Sequence, residues 1–384
     1  MKNKKNIYLM YAIALLQGMV FYGSIATLYR QANGISVFQI TIIESISYIL
    51  CIALEIPWGI VADKIGYKKT IVFCCILYFV SKLVFWQADG FFDFLAERIL
   101  LGVVIAGMSG VDTSILYLSC KEGESQKVFG IYNSLGIVGL LLSALVFSTF
   151  VRNNYRMAAF LTVITYGMAA IFSLLLTEVK GKSAKRASLS QFKEIFCGIL
   201  KNKKLIMLLI SVSFITQTHQ TITVFLNQVK YESCGVSASN IGYIYIVVTL
   251  VGLIGIFSSK LTCKLGAKLT GIFLYLVVTL SCVMLGVINT VGLSVAGVLM
   301  INIANGLFQP LQMELQNKQV VSSNRATELS IYAMIIDGVS AGTSVMFGAL
   351  TEISLSVAFF GGAALCLSGA VIFVIWFNNM KKCK

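Results

Sequence analysis

Twelve apolar runs, each near the length that crosses a bilayer, follow one another through this sequence with little polar chain between them. Spanning the hydrocarbon takes about 20 consecutive apolar residues. The runs fall at about 6–28, 36–62, 70–87, 93–118, 127–150 and 156–177, then at 204–229, 238–262, 270–288, 292–316, 327–350 and 353–377. In lipid every backbone polar group needs an internal partner, so these runs are expected to be helices. Composition leaves no other environment. Only 12% of the 384 residues are charged and 58% are hydrophobic, against about 25% charged in soluble domains. A soluble fold with this composition would expose apolar surface almost everywhere.

The net charge of +14 could indicate nucleic acid, but the basic residues sit in short clusters between the runs. With both termini on one face, that face collects twenty-four of the thirty Lys and Arg. The opposite loops hold Arg30, Arg152, Arg156 and Lys230, while Lys82 and Arg98 fall inside runs. The bias puts both termini in the cytoplasm of a multi-pass protein of the cell membrane. The ten cysteines lack metal-ligand spacing, so no metal and no cofactor is expected. No nucleotide-binding loop or nucleophile–base pair is recognisable, and an enzyme is not expected. No cleavable leader is apparent at the first run.

Glu178 to Lys204 is the only long polar segment, and it is strongly basic. It divides the chain into an N-terminal six-helix bundle (1–178), a cytoplasmic linker (179–203) and a C-terminal six-helix bundle (204–384). Leu189 to Leu200 could form an amphipathic helix on the membrane surface. The halves echo each other: Gly34-Ile-Ser follows the first run and Gly235-Val-Ser the seventh, Gly66 matches Gly266, and Gln17 matches Gln217. The fold expected is an all-α membrane protein of twelve transmembrane helices in two pseudo-symmetric bundles. Parallel repeats of this kind place a binding site at the repeat axis near the midplane.

The turn after the second run, GIVADKIGYKK, carries Gly59, Asp63, Gly66, Lys68 and Lys69. An inside-positive loop explains the lysines but not the Gly-x3-Asp-x2-Gly frame. That frame resembles the loop signature of the major facilitator superfamily. Arg98-Ile-Leu-Leu-Gly102 resembles the family's Arg-x3-Gly motif, and LEIPWGIVADKIG and SGVDTSILYL resemble a bacterial efflux-like subgroup. The resemblance covers essentially the whole chain. It implies alternating access, with Asp63 helping to close the cytoplasmic face against the start of the eleventh helix near Arg325 to Glu328. It also implies a cavity bounded by the first, fourth, seventh and tenth helices. Two departures stand out. The fifth run lacks the Gly-Pro pair of the drug-antiporter signature, and Cys263 stands where the second half would repeat Asp63.

Charges inside runs need reasons, since each costs about 2.5–3.5 kcal/mol at a helix centre on insertion scales. Glu44, Glu55, Asp112 and Asp337 are candidates for proton coupling, because an apolar cavity favours the protonated carboxyl; helix-locking pairs are the other reading. Glu44 and Glu55 lie three turns apart on one face. Lys82, five residues from a run's end, is expected to extend its ammonium outward. Arg98 is expected to be structural, beside Glu97 or an acid on another run. His219 could relay protons or simply bond to its polar neighbours.

Asn302, Asn305, Gln309, Gln312 and Gln316 recur at helical spacing on the tenth run, as do Gln217, Gln220 and Asn227 on the seventh. One or two amides serve as interhelical glue, whereas five in register describe a wet cavity wall. Gln17, Tyr22, Arg98, Gln217, His219, Gln220, Asn302, Asn305 and Gln309 are the substrate-cavity candidates. The expected function is secondary active transport of a small organic solute by proton-coupled efflux. The alternatives are a proton-coupled symporter of a sugar-like nutrient and a non-transporting receptor on a carrier scaffold. Partners are then the solute, protons and the bilayer, with no nucleic acid and a monomeric chain. Acids outnumber bases within the runs, which favours a cationic or lipophilic solute over an anion.

Overall fold

The computed structural model describes residues 4–120, 124–179, 189–320 and 325–381, and leaves the side chain of Asp63 outside that description. Among the described residues, eleven helices are long and apolar enough to cross a membrane: Lys4–Ala32, Val37–Glu55, Tyr67–Gln87, Phe91–Ser119, Lys127–Val151, Tyr155–Leu174, Lys203–Ser233, Ser258–Val287, Val291–Gln319, Thr327–Ile353 and Leu355–Asn379. Ala238–Val251 is a shorter apolar helix between the seventh and the next. It continues through a 3₁₀ stretch, Gly252–Phe257, into the helix at Ser258. The positive φ of 78° at Gly266 inside that helix separates an eighth span from a ninth. Twelve spans result, in the expected order.

Contacts group the chain into two compact units. One holds Met1–Gln39, Ile46–Ala184 and Ser237–Ile246; the other holds Ile40–Ser45, Lys185–Val236 and Val247–Lys384. The repeat reappears in backbone geometry. Gly66 (φ 95°) and Gly266 (φ 78°) occupy the same left-handed junction, a conformation that only glycine adopts without cost. After the first and seventh spans, the Ile35 amide donates to the Arg30 carbonyl and the Val236 amide to the Tyr231 carbonyl. This six-to-one closure ends a helix at a left-handed glycine, here Gly34 and Gly235.

Within the first unit, span 1 lies against span 5 on glycine. A Cβ on Gly18 would stand 2.2 Å from the Gly136 carbonyl oxygen, and one on Gly139 2.3 Å from that of Leu15. Small residues are what allow such approach in a membrane. Apolar packing toward one end of the unit joins Met10 and Ile13 to Ile71, Cys75, Ile115 and Leu116.

The amphipathic segment does form a helix, Leu189–Lys201. Its apolar side is occupied by protein: Phe192, Ile195, Phe196 and Ile199 pack with Leu205, Leu209, Ile331 and Tyr332 of the second unit. The spacing that suggested a membrane-surface helix reports a face buried on spans 7 and 11.

Gly266→Ala tests the backbone argument, because no atom lies within 4 Å of the added methyl. Strain at its φ of 78° and ψ of 153° should alone cost about 1–3 kcal/mol, read as a lowered melting temperature in detergent. An unchanged midpoint would mean that the junction is not held left-handed.

Candidate functional site

Span 1 is not one helix. It runs as Lys4–Gly18, leaves helical form over residues 19–22, makes a 3₁₀ turn at Gly23–Ile25 and resumes as Ala26–Ala32. Side chains of neighbouring spans take up the freed backbone groups. Tyr166 OH donates to the Gln17 carbonyl at 2.6 Å, Thr165 Oγ1 to that of Met19 at 3.2 Å, and Ser143 Oγ to that of Val20 at 3.2 Å. The Phe21 amide donates to Thr162 Oγ1 at 3.0 Å. Broken helices are tolerated at membrane depth only where protein or a wet cavity receives them. Gln17 and Tyr22, two of the sequence candidates, flank this break; Gln17 Nε2 also lies 3.4 Å from Cys75 Sγ.

Beside the break is a buried charge cluster. Glu97, 1% exposed, meets Lys82 Nζ at 3.1 Å through Oε1 and Arg30 Nη2 at 3.8 Å through Oε2. The Lys82 ammonium lies 5.2–5.8 Å from the ring centres of Tyr22, Tyr78 and Tyr166. The Arg30 guanidinium stands over Phe85 and Phe94 at 5.5 and 5.8 Å, and Tyr22 stacks on Phe85 at 3.9 Å. Desolvated cations gain from aromatic faces. Two expectations are corrected here. Lys82 does not reach outward, because the next span offers it a carboxylate. Glu97 serves Lys82 and Arg30, which leaves an acid on another span as the partner expected for Arg98. Arg30 is no loop residue: it is buried, as is Lys230, whose Nζ donates to Asn289 Oδ1 at 2.7 Å. Arg30 and Lys230 narrow the excess of acids that favoured a cationic solute, although Glu97 is itself a fifth acid within the spans.

Span 4 also breaks. Phe91–Met108 ends at Ser109, Gly110 turns with φ 74°, and Val111–Ser119 continues. Asp112 occupies the first turn after the break, where a helix N-terminus favours negative charge. Its carboxylate accepts from the Thr113 amide at 2.6 Å and from Tyr132 OH at 3.2 Å. Glu44 is buried, Glu55 half-buried and Asp337 half-buried. Glu44 and Glu55 share the helix Val37–Ile65, but Glu44 groups with the second unit and Glu55 with the first. At the GIVADKIGYKK turn, Glu178 was not anticipated: its Oε1 accepts the Lys68 amide at 3.3 Å, and its carboxylate fills the space a Cβ on Gly66 would need. The Lys69 side chain is exposed. Gly59 and Asp63 fall within Val37–Ile65; of the partner region expected for Asp63, Glu328 is buried and accepts from Tyr332 OH at 3.2 Å, while the side chains of Asp63 and Arg325 lie outside the description.

In the second unit the seventh span, Lys203–Gln220, passes into a π-helical stretch, Thr221–Leu226. Such stretches widen a helix and recur at functional sites. Gln217 Nε2 donates to Thr221 Oγ1 at 3.1 Å, and His219 Nε2 lies 2.9 Å from Asn302 Oδ1. Asn302 Nδ2 in turn donates to the Val248 carbonyl. Gln220 is half-buried. Asn305 is 5% exposed and Gln316 is buried, whereas Gln309 is exposed. Among the described residues, Asn305 Oδ1, Gln312 Oε1 and Gln316 Nε2 are buried with no hydrogen-bond partner. A separate open cleft of about 650 Å³ in the first unit, lined by Tyr29, Asn33, Asn154 and Arg156 among others, includes none of the sequence candidates.

A family model for the Major Facilitator Superfamily matches residues 7–343. An uncharacterized MFS-type transporter of Methanocaldococcus jannaschii is 22% identical over 373 residues, covering 92% of each chain. The crystal structure of the nucleoside transporter NupG superposes with a TM-score of 0.82 at 16% identity, over 97% of this chain and 99% of that one. A D-xylose-proton symporter gives 0.75 at 13% identity, over 96% and 97%.

Glu97→Gln strands two buried cations without their counter-ion, and breaking a buried pair in this way costs about 3–5 kcal/mol. The variant should melt well below the parent, and adding Lys82→Met should restore part of the loss. Equal melting of single variant and parent would show that the cluster contributes nothing.

Proposed function

This chain belongs to the Major Facilitator Superfamily and is a multi-pass secondary transporter, and from that premise we propose proton-coupled export of a small, hydrogen-bonding organic solute. Span 10 carries the reading. Its buried amides Asn305, Gln312 and Gln316 have atoms without partners among the described residues, and a buried amide left unbonded costs about 1–3 kcal/mol. A wall kept at that cost is a wall that water or a solute completes. The candidates for proton coupling are the carboxylates within the spans, Glu44, Glu55, Asp112 and Asp337, of which Glu44 is buried and Asp112 follows the break in span 4. Outward direction rests on the subgroup that LEIPWGIVADKIG and SGVDTSILYL resemble.

The same proposal includes a cell-membrane location with cytoplasmic termini, supported by the distribution of Lys and Arg. It includes the division into bundles at 1–178 and 204–384 about a basic linker, working as a monomer. It also includes a gating role for Gly59, Asp63, Gly66, Lys68 and Lys69, which the left-handed Gly66 and its packing on Glu178 support.

A second reading is proton-coupled uptake of a hydroxylated nutrient, which the span 10 amides favour, because amides bond hydroxyls through both ends. Proteoliposomes with imposed pH gradients separate the two, screened with D-xylose, uridine and a panel of amphipathic amines. An exporter that exchanges protons accumulates solute in acid-loaded vesicles; a symporter accumulates it from acid medium. Gradient-independent behaviour of every solute would sink both.

Asp63→Asn should insert and fold normally yet slow turnover at least tenfold in that assay. Parental turnover would remove Asp63 from the gate.

A further inference from the structure

The chain contains one histidine, and its hydrogen bonding determines which nitrogen carries the proton. His219 Nε2 lies 2.9 Å from Asn302 Oδ1. The other end of that amide is committed, because Asn302 Nδ2 donates to the Val248 carbonyl. A carbonyl oxygen only accepts. Turning the Asn302 amide over would oppose two oxygens, so its orientation follows from chemistry rather than from atom labels. With Nδ2 on Val248, Oδ1 faces the imidazole and can only accept, and His219 Nε2 must donate. A neutral imidazole protonated at Nε2 carries a bare lone pair at Nδ1. Among the described residues, His219 Nδ1 has no partner. One turn further along span 10, the side-chain amide of Asn305 is buried and has an atom without a partner.

We propose that Asn302 is a positioning residue that holds His219 as its Nε2–H tautomer, making His219 Nδ1 an acceptor that selects solutes bearing hydroxyl or N–H donors. This rests on the transporter reading and narrows its substrate class. A carboxylate or phosphate brought to His219 Nδ1 would set lone pair against lone pair. A hydroxyl or N–H satisfies it. Sites built on buried hydrogen bonds to a hydroxyl reject the analogue lacking it by about 10⁴–10⁵.

The single histidine makes the first test direct. Full-length protein labelled with ¹⁵N at histidine, in lipid nanodiscs at a pH where imidazole is neutral, yields one pair of ring nitrogens. The expected spectrum has a protonated Nε2 and a bare Nδ1. Asn302→Asp, which still accepts from Nε2, should keep that pattern. Asn302→Leu should release it toward the mixture of free histidine. An Nδ1–H tautomer, or a mixture in the unsubstituted protein, overturns the proposal. The second test is a thermal-shift panel of D-xylose, D-glucose, uridine and adenosine, each beside its O-methyl ether, with carboxylate and phosphate solutes included. At least one hydroxylated solute should stabilise the protein and lose at least 100-fold in apparent affinity on methylation. Ethers that bind equally, stabilisation by anions alone, or no stabilisation overturns the acceptor assignment. Failure of transport in vesicles, with the predicted tautomer observed, would instead overturn the carrier reading.

Discussion

A backbone amide or carbonyl without a partner in hydrocarbon costs several kcal/mol, and most of this structure follows from how that demand is met. Regular helix meets it for the greater part of every span. Where span 1 leaves helical form between Gly18 and Gly23, the demand passes to Ser143, Thr162, Thr165 and Tyr166, hydroxyls donated by spans 5 and 6. Those residues look unremarkable in an apolar run. Their role appears only when the neighbouring backbone opens. At the break in span 4 the same demand is met within the span, where Thr113 Oγ1 and Ser114 Oγ donate to the Gly110 carbonyl, while Tyr132 of span 5 holds the Asp112 carboxylate.

Electrostatics divides the two units unequally. The register that carries Gly66 onto Gly266 and the helix start Phe91 onto Val291 also carries Lys82 onto Cys282 and Glu97 onto Gly297. Cys282 is fully buried, and the space beside Gly297 is taken by Met284 and Leu285. The second unit therefore keeps the repeat's geometry without its ion pair. Its buried cation, Lys230, is satisfied by Asn289 and the face of Phe359. Buried ion pairs add little net stability and are retained where a specific arrangement matters. One arrangement is thus tied by charge and the other by amides and an imidazole, which gives the halves of a symmetric scaffold different chemistry.

Local pattern made much of this legible in advance. The number and order of spans follow from hydropathy, a property of composition along the chain. The matched landmarks Gly34/Gly235 and Gly66/Gly266 follow from glycine's unique access to positive φ, and all four adopt it. The amide stripe on span 10 follows from helical period, although that period could not distinguish Asn305, which is buried, from Gln309, which is exposed. Lys82 was misjudged because a lysine's direction depends on what stands within about 6 Å of it. Its partner, Glu97, belongs to another span.

Sequence alone therefore determined that this chain is a bundle of membrane helices built as a repeat, because the bilayer admits so few solutions for apolar runs of this length. Tertiary structure decided where the helices break and which charges meet. Neither proline marks a break: Pro57 and Pro310 lie inside helices that continue past them, whereas spans 1 and 4 open at glycines. Span 1 opens where neighbouring spans receive its backbone groups, and a buried charge is tolerated where a neighbour opposes it. Both conditions depend on residues far apart in the chain, and only packing brings them together.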